Sequence, residues 1–410
     1  MTNMGLKLPD ETKRHVHGTH RLVPPSETVA RVTALMPRMG ITRVANVTGL
    51  DRIGVPVVMV CRPNARSLAV SQGKGCDLAA ATASGLMEAA ELYHAEHIDL
   101  PLKLGSLAEL SPGHRFAEID RLPRISEAFH ANLVTLWIEG LDLVSDQARW
   151  LPFESVRTNF TLPPPPGSGC FDCSSNGLAS GNSIVEATCH AICEVVERDA
   201  ITLWNAGGAF ARAKTGLDLA SVDDPICRRL LEQLEQADFD VTAWDITSDT
   251  GVPAFYCLIT DRLDPLQHLG IGAGAHPTRA VALSRALTEA IQVRTTYISG
   301  ARDDLTHREY STEERARKAA WAERVRAEHR PARSFGQIAE HVSESFGSDL
   351  SWLLKRLLAI GINEVVAVDL SKPDLGLAVV RVVIPGLEGP DDHPRYHPGK
   401  RAKTIREQVA

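Results

Sequence analysis

Apolar residues recur at helical spacing in "SETVARVTALMPRMGIT", with Ser26 as the expected N-cap, and the run "VPVVMVCRP" predicts a buried strand ended by Pro63. A second helix is predicted over 84–96. "NLVTLWIEGLDL" and "QARWLPFESV" then predict paired strands, and "LPPPPGSG" a stiff linker loosened by glycine, its prolines at 163–166 marking the clearest internal joint. The alternation resumes with a helix over 184–204, another through "ICRRLLEQLEQADF", a strand pair in "DVTAWDI" and "VPAFYCLIT", and a helix from 280 onward. Residues 302–333, rich in Arg, Glu and Ala, predict a solvated helical face. "LSWLLKRLLAIGINEVVAVDLS" predicts helix, turn and strand, and "LAVVRVVIPGL" a last strand whose apolar run Arg381 interrupts. Mixed α and β structure is expected throughout.

A repeat emerges when the helices are aligned on their glutamates. The series are Ser84, Glu88, Glu91; His190, Glu194, Glu197; and Arg285, Glu289, Gln292. Steps of four and three residues keep each series on one narrow helical stripe. Gly75, Gly181 and His276 each stand thirteen residues before the first glutamate, and small residues (Gly85, Ala191, Ala286) stand three before it. The expectation is three glycine-bearing loops feeding three acid-striped helices, loops whose backbone N–H groups would suit a phosphate.

The 410 residues, 44% hydrophobic and 23% charged, suffice for a substantial core, and the net charge of -7 gives no general attraction to nucleic acid or an anionic membrane. No segment reads as a membrane span, and "MTNMGLKLPDETKRHVHG" has no apolar signal region, so a cytoplasmic protein is expected. Eight irregularly spaced cysteines read as free thiols.

Glu186 falls on the second stripe too, making five acids with Glu88, Glu91, Glu194 and Glu197. In an apolar setting five carboxylates need cations, and magnesium suits them better than zinc. Lys74, Arg198 and Arg294 are candidates to answer phosphate charge, with Asn182 and Ser84 as polar contacts. The competing reading pairs the acids with Arg198, Arg285 and Arg294 as helix salt bridges. A thiolate zinc site at Cys170 and Cys173, joined by Cys189 and Cys193, is a minor alternative. Walker A, HExxH and GxSxG motifs are absent.

"SQGKGCDLAAATASGLMEAAELY", "NGLASGNSIVEATCHAICEVVERDA", "GIGAGAHPTRAVALSRALTEAIQVR" and "VVRVVIPGLEG" resemble the successive signatures of the YcaO family. The resemblance runs from about Val57 to Gly389. It implies an α+β fold of three related strand, loop and helix units with mixed sheets packed by helices. It also implies ATP and Mg2+ as cofactors, held without a Walker motif. By it Ser84, Glu88 and Glu91 match the first binding motif, and Asn182, Glu186, Glu194, Glu197 and Arg198 the second. Glu289, Gln292 and Arg294 fall in the third, and Arg21 in "GTHR" matches an N-terminal basic segment approaching the phosphates. The five glutamates other than Glu289 are the expected magnesium ligands.

The resemblance further implies activation of a peptide backbone amide, in which a nucleophile adds to the carbonyl carbon and the oxygen is phosphorylated by ATP and leaves as phosphate. The proline-rich tail of azoline-forming relatives is missing from "HPRYHPGKRAKTIREQVA". The stand-alone chain is similar instead to members that install a backbone thioamide with a TfuA-type partner protein. An azoline-forming cyclodehydratase and a non-catalytic nucleotide-binding partner are the alternatives. The expected organisation is a basic segment and helix over 1–56, the YcaO domain over 57–390 and a polar tail over 391–410. The substrate is expected to be a peptide or protein and the assembly a homodimer.

Overall fold

Each striped helix leaves directly from the end of a strand, and that junction organises the molecule. In the computed structural model, which describes residues 10–409, strand Val70–Lys74 leads into helix Leu78–Glu96, Leu178–Gly181 into Ile184–Ala206, and Gly270–Ala275 into Arg279–Ser299. Asp77 and Ser183 cap the first two helices, accepting hydrogen bonds from the amides of Ala80 and Glu186.

The glycines of these segments do not form the expected loops. They lie mainly on the strands, where they let a helix rest on the sheet. A Cβ at Gly73 would collide with the Ala81 carbonyl oxygen, and one at Gly274 with the Ala282 carbonyl oxygen. Gly73 and Gly274 occupy the same place in the first and third repeats, so the repetition seen in the glutamates extends to backbone packing.

Around these junctions the sheets differ. The first unit is a local antiparallel sheet of Arg43–Asn46, Val57–Cys61 and Val70–Lys74, and the third another of Phe239–Asp245, Ala254–Asp261 and Gly270–Ala275. The second unit's strand Leu178–Gly181 is instead the edge of a six-stranded sheet, pairing with Ala378–Val383, beyond which lie Val366–Asp369, Val134–Asp142, Leu102–Ser106 and Gln147–Pro152. Separate apolar cores underlie the helices, one around Phe239, Phe255 and Leu287, another around Ile192, Leu353 and Val380.

Several boundaries depart from expectation. The first helix, Pro25–Leu35, begins two residues earlier than an N-cap at Ser26 allows, with Pro at N1 and no side-chain cap. The helix expected over 84–96 begins earlier, at Leu78, because Ala79 and its neighbours offer no apolar–polar contrast to mark its start. The prolines at 163–166 are not a joint between units, since strands on both sides belong to the same sheet. Strand Arg43–Asn46 pairs across the boundary at 56, and the "tail" carries helix Lys400–Val409, anchored to the second striped helix by Arg401 on Asp199 at 2.9 Å. Over 302–333 the expected solvated helix is Thr312–Glu328, burying only Glu314, Ala322 and Val325. Among the described residues no helix is long and apolar enough to cross a membrane.

Candidate active site

The three striped helices converge on one cavity of about 580 Å3. Its wall includes Arg21, Lys74, Ser84, Glu88, Glu91, Asn182, Glu186, Glu194, Glu197, Arg198, Glu289 and Gln292, so all but one of the expected site residues meet there. The exception is Arg294. Its guanidinium is buried elsewhere and donates to Asp51 at 2.8 Å, Asp261 at 3.1 Å and the His268 carbonyl at 2.5 Å. With those acceptors taken it has no reach to the cavity, and the sequence position beside the stripe misled.

The repeats close into a ring. Lys74, Ser180 and Ala275 hold equivalent positions at the ends of the three strands, and each donates to the stripe of another unit. Ser180 gives its amide, at 2.8 Å, and its hydroxyl, at 2.7 Å, to Glu91. The Ala275 amide donates to Glu197 at 3.0 Å. At the third joint Lys74 Nζ donates to Glu289, and two glutamines meet, Gln292 Nε2 donating to Gln72 Oε1 at 3.2 Å. Glu186 is held separately, accepting from the Leu22 amide at 2.9 Å and from Asn182 Nδ2 at 3.2 Å, with Arg21 Nε 3.7 Å away. The N-terminal segment thus forms part of the wall.

These contacts sort the acids. Glu194 accepts no hydrogen bond within the described residues, and burial raises its pKa to about 7, against the pull of Arg198 and with Glu197 adding to the rise. Burial lifts Glu88 to about 7 despite Lys74. Glu91 rises to about 8, chiefly by burial, opposed by Ser180 and reinforced by Glu194 and Glu88. Glu289 differs: burial works to raise it, but Lys74, with Arg198 and Arg285, holds it below the usual carboxylate range. The acids of the first two units are therefore short of positive charge, whereas the third unit's acid already has its cation.

The salt-bridge reading of the stripes does not account for this. Arg198 lies 3.8 Å from Glu197, Arg285 donates to His190 rather than to an acid, and Arg294 is committed elsewhere. A divalent cation with phosphate oxygens fits the donor set: under-compensated carboxylates on one side, Arg21, Lys74 and Arg198 on the other. Among the described residues no three His, Cys, Asp or Glu side chains form a ready metal cage. Magnesium ordinarily takes one or two carboxylates and completes its shell with water and phosphate, so such a cage is not required. Among the described residues zinc finds no site, since Cys170 lies in a different core from Cys189 and Cys193, and burial raises all three thiols above their ordinary range.

Sequence reasoning missed four groups of the wall: Gln72, Ser180, His190 and Arg285. His190 and Arg285 stand at the stripe positions equivalent to Ser84, so the repeat itself is the signal that marks them. A larger crevice of about 1580 Å3 lies beside the C-terminal half of the second striped helix, at Ala200, Leu203 and Trp204, and is bordered by helix Lys400–Val409. None of the striped acids lines it.

Comparison with known proteins agrees with this architecture. Residues 72–388 match the family model described as YcaO cyclodehydratase, ATP- and Mg2+-binding. An uncharacterized protein in the tfuA 3' region of Rhizobium leguminosarum bv. trifolii is 34% identical, over 90% of this chain and 88% of its own length. An uncharacterized protein of Methanothermobacter thermautotrophicus is 35% identical, over 89% and 94%. Among solved structures, a heterocyclase in complex with substrate and cofactor superposes with a TM-score of 0.74 at 24% identity, covering 93% of this chain but 54% of that one. This chain thus spans about half the heterocyclase's length. YcaO from Methanopyrus kandleri, bound with AMPPCP and Mg2+, gives 0.73 at 22% identity, covering 92% and 94%. With the family model matching most of the chain and the ring of striped helices carrying its motifs, this protein belongs to the YcaO family.

Proposed function

We propose that this protein uses ATP and magnesium to activate a peptide backbone amide, and that the product is a thioamide. The observation that carries the ATP-dependent reading is the cavity itself, where under-compensated carboxylates of two units face the cations of Arg21, Lys74 and Arg198. Bound Mg-ATP would supply the phosphoryl group that turns an amide oxygen into a leaving group.

The chain's own residues prepare that chemistry. Glu88, Glu91 and Glu194 stand ready to give up their protons to an arriving divalent cation, because burial, reinforced by neighbouring carboxylates, raises their pKa values to about 7 to 8. Glu186 and Glu197, already fixed by backbone amides, would give rigid ligands. Arg198 keeps its charge: burial disfavours it, but Glu197, Glu289 and Glu194 raise its pKa. It and Lys74 would face phosphate oxygens. The crevice on the other side of the same helix has room for a peptide segment.

Support for thioamidation over azoline formation is the relative in the tfuA 3' region. We further propose a TfuA-type protein as partner, a homodimer as the working assembly and the cytoplasm as its compartment. Mass spectrometry of a co-expressed substrate peptide tests the reaction. Exchange of oxygen for sulfur is expected; loss of water would instead make the enzyme a cyclodehydratase, the reading that the family description favours. Wild-type protein that binds nucleotide but never hydrolyses it with any peptide would point to a non-catalytic partner.

A further inference from the structure

The first positions of the three stripes are Ser84, His190 and Arg285, and two of them touch. Arg285 Nη1 lies 2.9 Å from His190 Nε2. A guanidinium can only donate, so Nε2 is the acceptor and the neutral ring must carry its hydrogen on Nδ1. That Nδ1 is buried and has no partner among the described residues, and neither has Arg285 Nε. Both side chains line the cavity of the striped acids.

Two buried donors without acceptors are costly unless something accepts from them. Their surroundings say what that would be. Arg21 and Lys74 also act on the His190 ring, so the field at this corner of the cavity is positive. Burial, reinforced by Arg285, Arg21 and Lys74, keeps the ring well below its ordinary pKa and thus uncharged. On the same stripe Glu186 and Glu194 stand one turn to either side of His190, so a cation held by the carboxylates would bring the anionic oxygens of its phosphate ligand to these two donors.

We infer that His190 and Arg285 form a two-donor subsite for a phosphate oxygen of the nucleotide, His190 acting through Nδ1–H as a neutral hydrogen-bond donor and not as a base. The inference rests on the reading that the cavity binds nucleotide, and it assigns Arg285 a second task, that of fixing the histidine tautomer. Ser84, the equivalent residue of the first unit, would be a weaker version of the same device.

The test uses full-length protein labelled with 15N-histidine and a long-range 1H–15N correlation spectrum, with His190→Ala to assign the signal. At pH 7 the ring should show the Nδ1–H tautomer, and addition of AMPPCP with magnesium should shift the Nδ1 resonance. In steady-state kinetics His190→Ala should raise the KM for ATP about tenfold, the worth of a hydrogen bond to a charged group. His190→Asn, whose amide nitrogen sits near the Nδ1 position, should recover most of that loss, whereas His190→Leu should not. Binding of AMPPCP with an Nε2–H tautomer, or with no change at His190, overturns the subsite and leaves the nucleotide reading standing. Failure of the wild-type protein to bind AMPPCP sinks both.

Discussion

Two of the three joints around the cavity are made by a backbone amide and a glutamate, the third by lysine, glutamate and a pair of glutamines. Ser180 to Glu91 and Ala275 to Glu197 are fixed by the fold itself, since any residue would supply that amide. The third joint depends on which side chains are present, Lys74 with Glu289 and Gln72 with Gln292. The ring is therefore symmetric in backbone and asymmetric in charge. Its first two units leave acids wanting a cation, while the third has neutralised its own, so the proposed magnesium would be held between the first and second helices.

The sharpest way to break this comparison is on the under-compensated side. Glu194→Gln or Glu197→Gln should lower ATP turnover by roughly 10³-fold or more while circular dichroism stays native, because each removes a charge aimed at the metal and phosphoryl group. Wild-type phosphate release from either variant would make these acids structural.

The contrast with Arg294 comes next. Arg294→Met strips two buried aspartates of their partner and should cost about 3–5 kcal/mol of stability, read as a lower urea midpoint. The KM for ATP of the folded fraction should not move; a large rise in KM without loss of stability would return Arg294 to the cavity.

The pH dependence follows from the same acids. With pKa values near 7 to 8 in the folded protein and 4.5 unfolded, Glu88, Glu91 and Glu194 bind more protons in the folded state between those limits. Ligand-free stability should therefore fall as pH rises from about 4.5 to 8. Magnesium-ATP affinity should move the other way, weakening as pH drops from 8 to 6. Calorimetric scans with and without magnesium and AMPPCP check both; a ligand-induced gain in melting temperature that is constant over pH 6–8 would deny these acids to the metal.

The smallest effect belongs to the third joint. A double-mutant cycle on Lys74→Met and Glu289→Gln should give a coupling of about 1 kcal/mol in stability. A coupling indistinguishable from zero would mean that this joint contributes nothing to the ring.

How much of this the sequence disclosed depended on distance along the chain. Glu88 and Glu91, or Glu194 and Glu197, share a face because helical geometry fixes it within one turn, so the stripes were readable. The same holds for the strand pairs at 134–152 and 239–261, joined by short turns. Arg294 was misplaced because its acceptors, Asp51 and Asp261, lie far away in sequence, and nothing local distinguishes a phosphate-binding arginine from a buried structural one. The glycines were misread for a related reason: close approach to an anion and close approach to a helix make the same demand for a missing Cβ. The Leu22 amide that holds Glu186 left no trace, since backbone donors have no residue type. Asp199, two residues past Glu197 and so off the stripe, is paired with Arg401.

The second unit's borrowed sheet bears on how the protein comes into being. Among the described residues, strand Leu178–Gly181 finds its neighbour only in Ala378–Val383, roughly two hundred residues later. At a translation rate of about 5–20 residues per second, that interval lasts on the order of ten to forty seconds. During it the first and third units can close their own hairpins on the ribosome, while the strand that delivers Ser180 to Glu91 waits unpaired. Nucleotide competence is in this sense a property of the released polypeptide, and a nascent chain stalled before residue 378 should carry two of the three helices' worth of site and capture no ATP.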